Sequence, residues 1–243
     1  MKVLVFNGSP KMGKGNTALL LTPFIEGIRE AGAEVELFYT RKLEINYCTG
    51  EANCWVKTPG KCYQNDDMQM LYPKLREADV WVYATPVYWD GVTGPIKNLI
   101  DRTALPLCGP WYEIRDDHTR TSRREGSYKP RKIVLISTGG QWEMDIFDPL
   151  LVYFDFFCRN SGDEFAGALL RPHANGLRDL VEGGILKIDD ILEAAKEAGR
   201  QLVKDGKMST ETLKIISREL YPRDAYVEGF NQAIQQALDA IKE

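Results

Sequence analysis

The chain has 243 residues, of which 44% are hydrophobic and 27% charged, and its formal net charge is -4. This length suits one large α/β domain with or without an extension, and the negative charge argues against general nucleic-acid binding. No apolar run approaches the ~20 residues that a bilayer-spanning helix needs, so we expect a cytoplasmic protein without a membrane partner, whose five cysteines are reduced.

The first predicted strand, residues 2–6, leads into a glycine-rich loop and then into a helix predicted over residues 16–31. A helix N-terminus offers unpaired backbone N–H groups and a partial positive charge, so this arrangement favours an anion. Ser9 and Thr17 add hydroxyl donors, and either Asn16 or Thr17 is suited to cap the helix. We therefore predict a phosphate cradle at the carboxyl end of the strand, formed by Ser9, Lys11, Gly15, Asn16 and Thr17.

Three kinds of phosphate loop compete for this stretch. The spacing of Gly8, Gly13 and Lys14 is close to a Walker loop, but Gly15 stands where that motif needs Ser or Thr for magnesium. A dinucleotide fingerprint would begin at Gly13, too far from the strand, and the second predicted strand ends without the required acid. A flavin mononucleotide site needs no magnesium ligand. Taken alone, the loop fits a flavin site and a plain connection equally well.

Three cysteines, Cys48, Cys54 and Cys62, follow the second predicted strand, residues 33–39. An iron–sulfur cluster normally has four thiolate ligands, and Glu51 stands where a regular run would place another one. A carboxylate is a hard ligand and a poor substitute for a soft thiolate. The pattern therefore favours a structured loop with free thiols over a metal site, and we predict no bound metal.

The second candidate loop follows a third predicted strand, residues 79–85, and precedes a helix that is predicted to begin at Thr93. An isoalloxazine ring needs flat partners for stacking and backbone donors along its polar edge. Tyr88 and Trp89 would form the wall, although an aromatic pair alone more often indicates core packing. The predicted ring-binding residues are Thr85, Pro86, Val87, Tyr88, Trp89 and Gly91.

Residues 103–130 show no strong periodicity and contain a basic run. A long loop without structure of its own is often a lid or a binding loop. One interpretation is a cover over the flavin, with an arginine for the phosphate of a nicotinamide nucleotide. The other is a solvated loop, and the sequence does not separate them. His118 alone gives no evidence of acid–base catalysis or metal binding, and His173 is predicted to be structural or exposed.

A fourth predicted strand, residues 131–137, ends in a third loop at Ser137, Gly139 and Gly140, whose glycines allow close approach to a ligand. A helix over 147–160 and a fifth strand over 164–170 follow. The remaining helices are predicted over 189–204, over 210–219 with Ser209 as its cap, and over 224–241 with an apolar stripe. No side chain is predicted to be catalytic.

Alternating strands and helices predict a doubly wound parallel sheet of flavodoxin-like order 2-1-3-4-5, with helices on both faces. Such sheets bind ligands where the strand order reverses, between strands 1 and 3. The first and second candidate loops follow those two strands. We expect a flavodoxin-like domain over residues 1–204 and a C-terminal helical extension over 205–243, packed on the same domain or on a partner subunit.

The loops at 8–17 and 85–102 resemble those of NAD(P)H-dependent flavin reductases with a flavodoxin-like fold. The segment 48–67 resembles the cysteine motif of iron–sulfur flavoproteins, from which it departs at Glu51. Together the resemblance covers about residues 1–200. It implies bound FMN, NAD(P)H as co-substrate, a homodimer or homotetramer, and electron transfer to a quinone, nitro compound, flavin or similar small acceptor. The alternative is an electron-transfer protein that serves a protein partner, with a remnant iron–sulfur site.

Overall fold

Seven β-strands and nine α-helices lie within residues 1–124 and 129–241, which the computed structural model describes apart from the side chains of residues 104 and 105. The strands are β1 Lys2–Asn7, β2 Glu34–Tyr39, β3 Val80–Pro86, β4 Cys108–Arg115, β5 His118–Arg123, β6 Lys132–Thr138 and β7 Glu164–Arg171. The helices are α1 Asn16–Glu30, α2 Asn53–Val56, α3 Met68–Glu77, α4 Gly94–Leu107, α5 Asp148–Ser161, α6 Leu177–Glu182, α7 Asp189–Lys204, α8 Thr210–Ser217 and α9 Arg223–Ala240.

The main sheet has five parallel strands in the order β2-β1-β3-β6-β7. Numbered along the chain without the two strands outside this sheet, that order is 2-1-3-4-5, so the predicted flavodoxin-like topology is confirmed. The central strands are apolar on both faces because helices cover both sides. Val82 and Tyr83 on β3, for example, point to opposite faces and are both fully buried.

One face of the sheet is covered by α1 and α7, and the other by α3, α4 and α5. The two helices on the first face approach each other closely through two glycines. A Cβ atom built on Gly27 of α1 would lie 1.8 Å from the carbonyl oxygen of Lys196 on α7. One built on Gly199 of α7 would lie 2.2 Å from the carbonyl oxygen of Phe24. The two backbones are therefore in contact, and neither position has room for a side chain.

The long loop predicted for residues 103–130 is wrong. Helix α4 continues to Leu107, and β4 and β5 then pair as an antiparallel hairpin. The turn residues Asp116 and Asp117 have φ angles of 52° and 57°, the conformation of a two-residue type I′ turn, which aspartate tolerates. The strands lack an apolar alternation because Trp111, Tyr112 and other large side chains on them are exposed. The remaining residues of this prediction, 125–128, lie outside the described residues.

One interpretation of residues 103–130 was a cover over the flavin. The hairpin lies too far from the second candidate loop of the same chain to cover it. Arg115 donates hydrogen bonds to the carbonyl oxygens of Arg159 and Asn160, 3.1 and 2.8 Å away, at the last turn of α5. Helix α5 runs antiparallel to the strands, so its last turn lies at the amino-terminal edge of the sheet. The candidate ligand loops follow the carboxyl ends of the strands, at the opposite edge.

The C-terminal helices differ in how they contact the sheet. Ser209 accepts a hydrogen bond from the Thr212 N–H at 3.1 Å, so the predicted cap of α8 is confirmed. The guanidinium of Arg171, at the end of β7, is fully buried and donates to the carbonyl oxygens of Ile216 and Arg218, 2.8 and 2.6 Å away. Burial lowers the pKa of Arg171 to about 10.

Helix α9 has no buried residue. Its large apolar side chains are 42–50% exposed at positions 227, 230, 234 and 238. Among the helices that the structure describes, none combines the length and the apolarity that crossing a membrane requires.

Replacing Gly27 by alanine is expected to lower the free energy of unfolding by about 2 kcal/mol, because the added methyl group meets the α7 backbone. Gly229→Ala on α9 is the matched control, since nothing lies within 4 Å of its added Cβ. The control should be neutral or gain up to ~1 kcal/mol from helix propensity. Urea unfolding measures both, and equal effects would contradict the close contact between α1 and α7.

Candidate functional site

Three loops meet at the carboxyl edge of the sheet, where β1, β3 and β6 end. We call residues 8–15 the first loop, residues 86–93 the second loop and residues 138–143 the third loop. The Thr93 hydroxyl donates to the Gly8 carbonyl oxygen at 3.0 Å, joining the second loop to the first. The Val87 N–H donates to the Thr138 carbonyl oxygen at 2.8 Å, joining the second loop to the third. The predicted convergence of the two loops flanking the reversal of strand order is therefore confirmed.

The first loop is shaped by Asn7, the last residue of β1, which the sequence analysis missed. Its side-chain oxygen accepts from the Ser9 N–H at 2.8 Å, and this bond turns the chain out of the strand. A short 3₁₀ turn over Met12–Lys14 follows, and Gly15 is the N-cap of α1. A Cβ at Gly15 would lie 2.4 Å from the Ser9 hydroxyl oxygen, so a side chain here would displace that hydroxyl.

The predicted cap of α1 by Asn16 or Thr17 is wrong, since no side chain caps this helix in the described part of the chain. The Asn16 amide instead donates to the Ala174 carbonyl and accepts from the Arg178 N–H. The Thr17 and Thr138 hydroxyl oxygens are 2.9 Å apart. Tertiary partners have replaced the local ones, so the first-turn N–H groups of α1 are not capped by a side chain and can face an anion.

Arg178 on α6 is a second residue that the sequence analysis missed. Its guanidinium donates to the carbonyl oxygens of Gly13 and Gly15 over 3.2–3.3 Å and pairs with Glu182 at 2.7 Å. A permanent cation therefore lies beside the first loop, where it favours a bound anion. Helix α6 has only six residues between glycine-rich turns, so no periodic pattern marked it.

The second loop is a tight turn in which Tyr88 and Gly91 exchange backbone hydrogen bonds of 2.9 and 3.1 Å. Trp89 and Asp90 between them have φ angles of 48° and 61°, a conformation that a bulky residue such as tryptophan rarely adopts. The side chain of Trp89 is 99% exposed and that of Tyr88 is half exposed. Both aromatic side chains thus lie at the edge and are open to solvent, and their role as a wall for a ring stays a prediction.

The backbone donors of this loop are fewer than predicted. The N–H groups of Val87, Tyr88, Gly91 and Thr93 are used within the chain, which leaves those of Trp89, Asp90 and Val92 for a ligand, judged over the described residues. The roles predicted for Val87 and Gly91 in ligand binding remain predictions.

The third loop is held in place by the segment after β7. The Gly139 N–H donates to the Arg171 carbonyl oxygen at 3.0 Å, and the Gly139 carbonyl accepts from the Ala174 N–H at 2.9 Å. The Gly140 carbonyl accepts from the Asn175 amide and from the Tyr226 hydroxyl of α9. A Cβ at Gly139 would lie 2.1 Å from the terminal methyl carbon of Ile146, so a side chain here would displace Ile146.

The side chains of two predicted site residues, Ser137 and Thr85, form hydrogen bonds within the chain. The Ser137 hydroxyl donates to the Thr85 carbonyl oxygen at 2.9 Å. The Thr85 hydroxyl oxygen accepts from the Thr93 N–H at 3.1 Å. Both side chains are fully buried. They position the second and third loops rather than facing a ligand directly.

His173 is buried beneath the third loop, with a φ angle of 55°. Its Nδ1 atom lies 3.3 Å from Nη2 of Arg171, which can only donate, so Nδ1 accepts and Nε2 donates to the Trp142 carbonyl at 2.7 Å. The ring also stacks on Trp142, with centroids 5.4 Å apart. Burial and the neighbouring Arg171 lower the pKa of His173. This histidine is a neutral structural residue.

The three cysteines do not fit an iron–sulfur cluster. They line one recess of about 10 Å³, which holds one water molecule at most. Nη2 of Arg102 lies 3.4 Å from the Cys62 sulfur, and the same guanidinium forms a buried ion pair with Asp66 at 2.6 Å. Within residues 1–124 and 129–241, no three His, Cys, Asp or Glu side chains are placed to hold a metal ion. Burial raises the pKa of the Cys54 thiol, which favours its neutral form.

Comparison with known proteins gives a match to one family model and to several curated relatives. Residues 1–145 match the model of NADPH-dependent FMN reductases. An iron–sulfur flavoprotein of Archaeoglobus fulgidus is 40% identical over 116 residues, covering 48% of this chain and 55% of the relative. The chain thus spans about half the length of that relative. A Bacillus subtilis protein named as an NAD(P)H-dependent FMN-containing oxidoreductase is 27% identical over 195 residues, covering 80% of this chain and 94% of the other.

Solved structures show the same fold. A Klebsiella pneumoniae protein described as a quinone reductase superposes with a TM-score of 0.64 at 20% sequence identity. The superposition covers 84% of this chain and 85% of the other. At this identity the likeness supports the architecture of the sheet and its helices.

The lowered pKa of His173 makes stability depend on pH in a defined direction. The unfolded chain binds a proton below about pH 6.5, whereas the folded chain resists it, so stability is fully present above that pH and falls as the pH falls through the folded pKa. We expect the midpoint of thermal unfolding to fall on acidification below pH 6.5. His173→Gln should remove this component, and His118→Gln, which removes the other histidine, should retain it. An unchanged pH profile in His173→Gln would contradict the assignment.

Proposed function

This chain belongs to the NADPH-dependent FMN reductase family, and from that premise we propose that it binds FMN at the carboxyl edge of the sheet and passes electrons from NAD(P)H to a small acceptor. The proposed acceptors are quinones, nitro compounds, flavins and similar molecules. One observation carries the proposal. The first, second and third loops are joined by direct hydrogen bonds at the reversal of strand order, where sheets of this topology bind their ligands.

The phosphate of FMN is proposed to bind at the first loop. The uncapped first turn of α1 offers backbone N–H groups, and the Ser9 hydroxyl lies beside Gly15. The Arg178 guanidinium supplies a positive charge behind the loop while it holds the carbonyl oxygens of that loop away from the ligand. Asn16 and Thr17 act by fixing the start of α1 to the segments at 174 and 138. Lys11 is exposed at the outer side of the loop.

The ring of FMN is proposed to lie between the second and third loops. Tyr88 and Trp89 offer flat surfaces at the exposed edge, and the turn N–H groups of Trp89 and Asp90 are available to the polar edge of the ring. The chemistry that bound FMN would supply is the acceptance of hydride from NAD(P)H and the transfer of electrons to the acceptor. The chain's own residues therefore bind and orient, and no side-chain acid or base is required. We propose that the protein works without an iron–sulfur cluster, since Arg102 and Glu51 stand among its three thiols.

A second candidate function, electron transfer to a protein partner, is favoured by the exposure of the second loop. Trp89 is 99% exposed, and the β4–β5 hairpin lies at the opposite edge of the sheet, so it does not cover this one. An open flavin edge suits contact with a second protein. Turnover with a small acceptor separates this candidate from the enzyme.

The region 205–243 is proposed to be a helical extension whose last helix packs on a second copy of the chain. The apolar side chains at 227, 230, 234 and 238 recur every three or four residues on α9 and remain exposed. A stripe with this spacing is self-complementary between two helices. A homodimer or homotetramer would bury it, and sedimentation velocity of the chain with and without residues 223–243 tests this proposal.

The central experiment is an anaerobic spectrum of the purified protein before and after addition of NADPH, followed by steady-state turnover with a quinone. We expect the absorbance of oxidised FMN to be lost on reduction and restored by the quinone, and iron and labile sulfide to be absent. A tightly bound FMN that NADPH does not reduce would reject the enzyme and leave the electron-transfer protein. A protein that cannot be reconstituted with FMN would reject both.

Gly8→Ala should weaken FMN binding by about tenfold or more, because its Cβ would lie 2.3 Å from Ile96 and 2.6 Å from the Thr93 hydroxyl and would push the first and second loops apart. Gly94→Ala is the matched control at the same edge, since nothing lies within 4 Å of its Cβ. Fluorescence titration of the apoprotein with FMN measures both affinities. Unchanged affinity in Gly8→Ala would show that one FMN does not depend on both loops.

A further inference from the structure

The three cysteines that do not fit a metal cluster share one recess beside α4. Cys48, Cys54 and Cys62 all line it, together with Arg102. All three are free thiols, and the function proposed above gives them no role. Free thiols that are grouped at one recess and partly open to solvent are candidates for oxidation.

The first and third cysteines are brought together by contacts of their chain neighbours. The side-chain amide of Gln64 donates to the carbonyl oxygen of Tyr47 at 3.1 Å. The hydroxyl oxygens of Thr49 and Tyr63 lie 3.2 Å apart. Residues on both sides of Cys48 therefore contact residues that directly follow the third cysteine. The two thiols belong to neighbouring positions of two chain segments that are in contact.

The sulfur of Cys62 is held in position by Arg102 on α4. Nη2 of Arg102 donates to this sulfur at 3.4 Å. The guanidinium is itself fixed by its ion pair with Asp66 at 2.6 Å, and only 1% and 3% of these two side chains are exposed. Because the carboxylate balances the charge of the guanidinium, the effect of Arg102 on Cys62 is to fix where the sulfur lies.

The second cysteine, Cys54, is placed differently from the other two. It lies in α2 and is 5% exposed, whereas Cys48 and Cys62 are partly exposed. Its carbonyl oxygen accepts from the Gly60 N–H at 2.9 Å, which fixes its backbone. Burial, and after it the charge of the neighbouring Cys62, raises the pKa of the Cys54 thiol, and a neutral thiol is a weak nucleophile. An oxidant that arrives from solvent therefore meets the other two thiols first.

We propose that Cys48 and Cys62 form an intramolecular disulfide when the protein meets hydrogen peroxide. In the first step the Cys62 sulfur bonds to one peroxide oxygen, the O–O bond breaks, and water leaves a sulfenic acid on Cys62. In the second step the Cys48 sulfur bonds to the Cys62 sulfur, the S–O bond breaks, and the hydroxyl leaves with the Cys48 thiol proton as water. Two thiols are thereby oxidised to one disulfide, and one peroxide is reduced to two molecules of water. The inference rests on the absence of an iron–sulfur cluster proposed above and does not depend on FMN.

The test identifies which pair of thiols forms in the whole chain as purified. The protein is treated with hydrogen peroxide, its remaining thiols are blocked with N-ethylmaleimide, and it is digested with trypsin and a protease that cleaves after glutamate. Cleavage after Glu51, Lys57 and Lys61 places the three cysteines on separate peptides, 45–51, 52–57 and one that begins at Cys62. Mass spectrometry then distinguishes the three possible linkages. We expect the linkage between Cys48 and Cys62 to exceed either linkage to Cys54 by at least about tenfold, although shorter loops close more readily in a flexible chain.

The same oxidation in concentrated urea is the matched control, because it removes the fold and keeps the sequence. There the linkages to Cys54 should be at least as abundant as the other, since their partners are closer along the chain. Cys54→Ser should retain the linkage in the folded chain, and Cys48→Ser should abolish it. On a gel without reductant the oxidised protein should run as a single chain, and dithiothreitol should restore both thiols.

Four results would overturn the proposal, and none of them depends on a variant that has to fold. One is a folded chain in which linkages to Cys54 predominate or no linkage forms. Another is the same distribution of linkages with and without urea, which would mean that the fold does not select the pair. The third is a linkage that joins two chains. The fourth is iron and labile sulfide in the purified protein at about four per chain, since the thiols would then be ligands, and this result leaves the proposed FMN site untouched.

Discussion

A hydrogen bond from the Thr93 hydroxyl to the Gly8 carbonyl oxygen spans the point where the order of the strands reverses. At that point the helices after β1 and β3 pass to opposite faces of the sheet, and a crevice opens between their first turns. Gly8 has no side chain because Thr93 and Ile96 occupy the space that one would need. Every contact proposed for the cofactor depends on this approach, since it sets the distance between the phosphate end and the ring end of the site.

The sheet and its order were predictable because β1, β3 and β6 are short apolar segments, each followed by a glycine- or proline-containing turn and a helix. The cap of α8 was predictable for a similar reason, since Ser209 and its partner Thr212 are three residues apart. Such features are determined by residues that are close together along the chain. The hairpin over residues 108–123 was not predictable by periodicity, because its exposed aromatic side chains break the alternation of apolar and polar residues.

The side chains of the site were harder to predict than its loops. Asn16 and Thr17 stand where helix caps usually stand, but their partners at 174 and 138 are more than a hundred residues away along the chain. Arg178 reaches the first loop from a helix of six residues that no pattern indicated. The positions of loops at the ends of parallel strands can be predicted from the topology of the sheet. The hydrogen bonds of their side chains depend on long-range packing, which cannot be predicted from the pattern of a single sequence.

Arg171 links two regions that are far apart along the chain. Its carbonyl oxygen accepts from the Gly139 N–H of the third loop, while its guanidinium holds the last carbonyl oxygens of α8. If the end of α8 frays, the buried guanidinium loses the carbonyl oxygens of Ile216 and Arg218 and keeps only those contacts that it makes with Pro172 and His173, which is unfavourable. We therefore expect the third loop and α8 to open together as one cooperative unit, so that the order of the carboxyl edge depends in part on a helix at a distance from it.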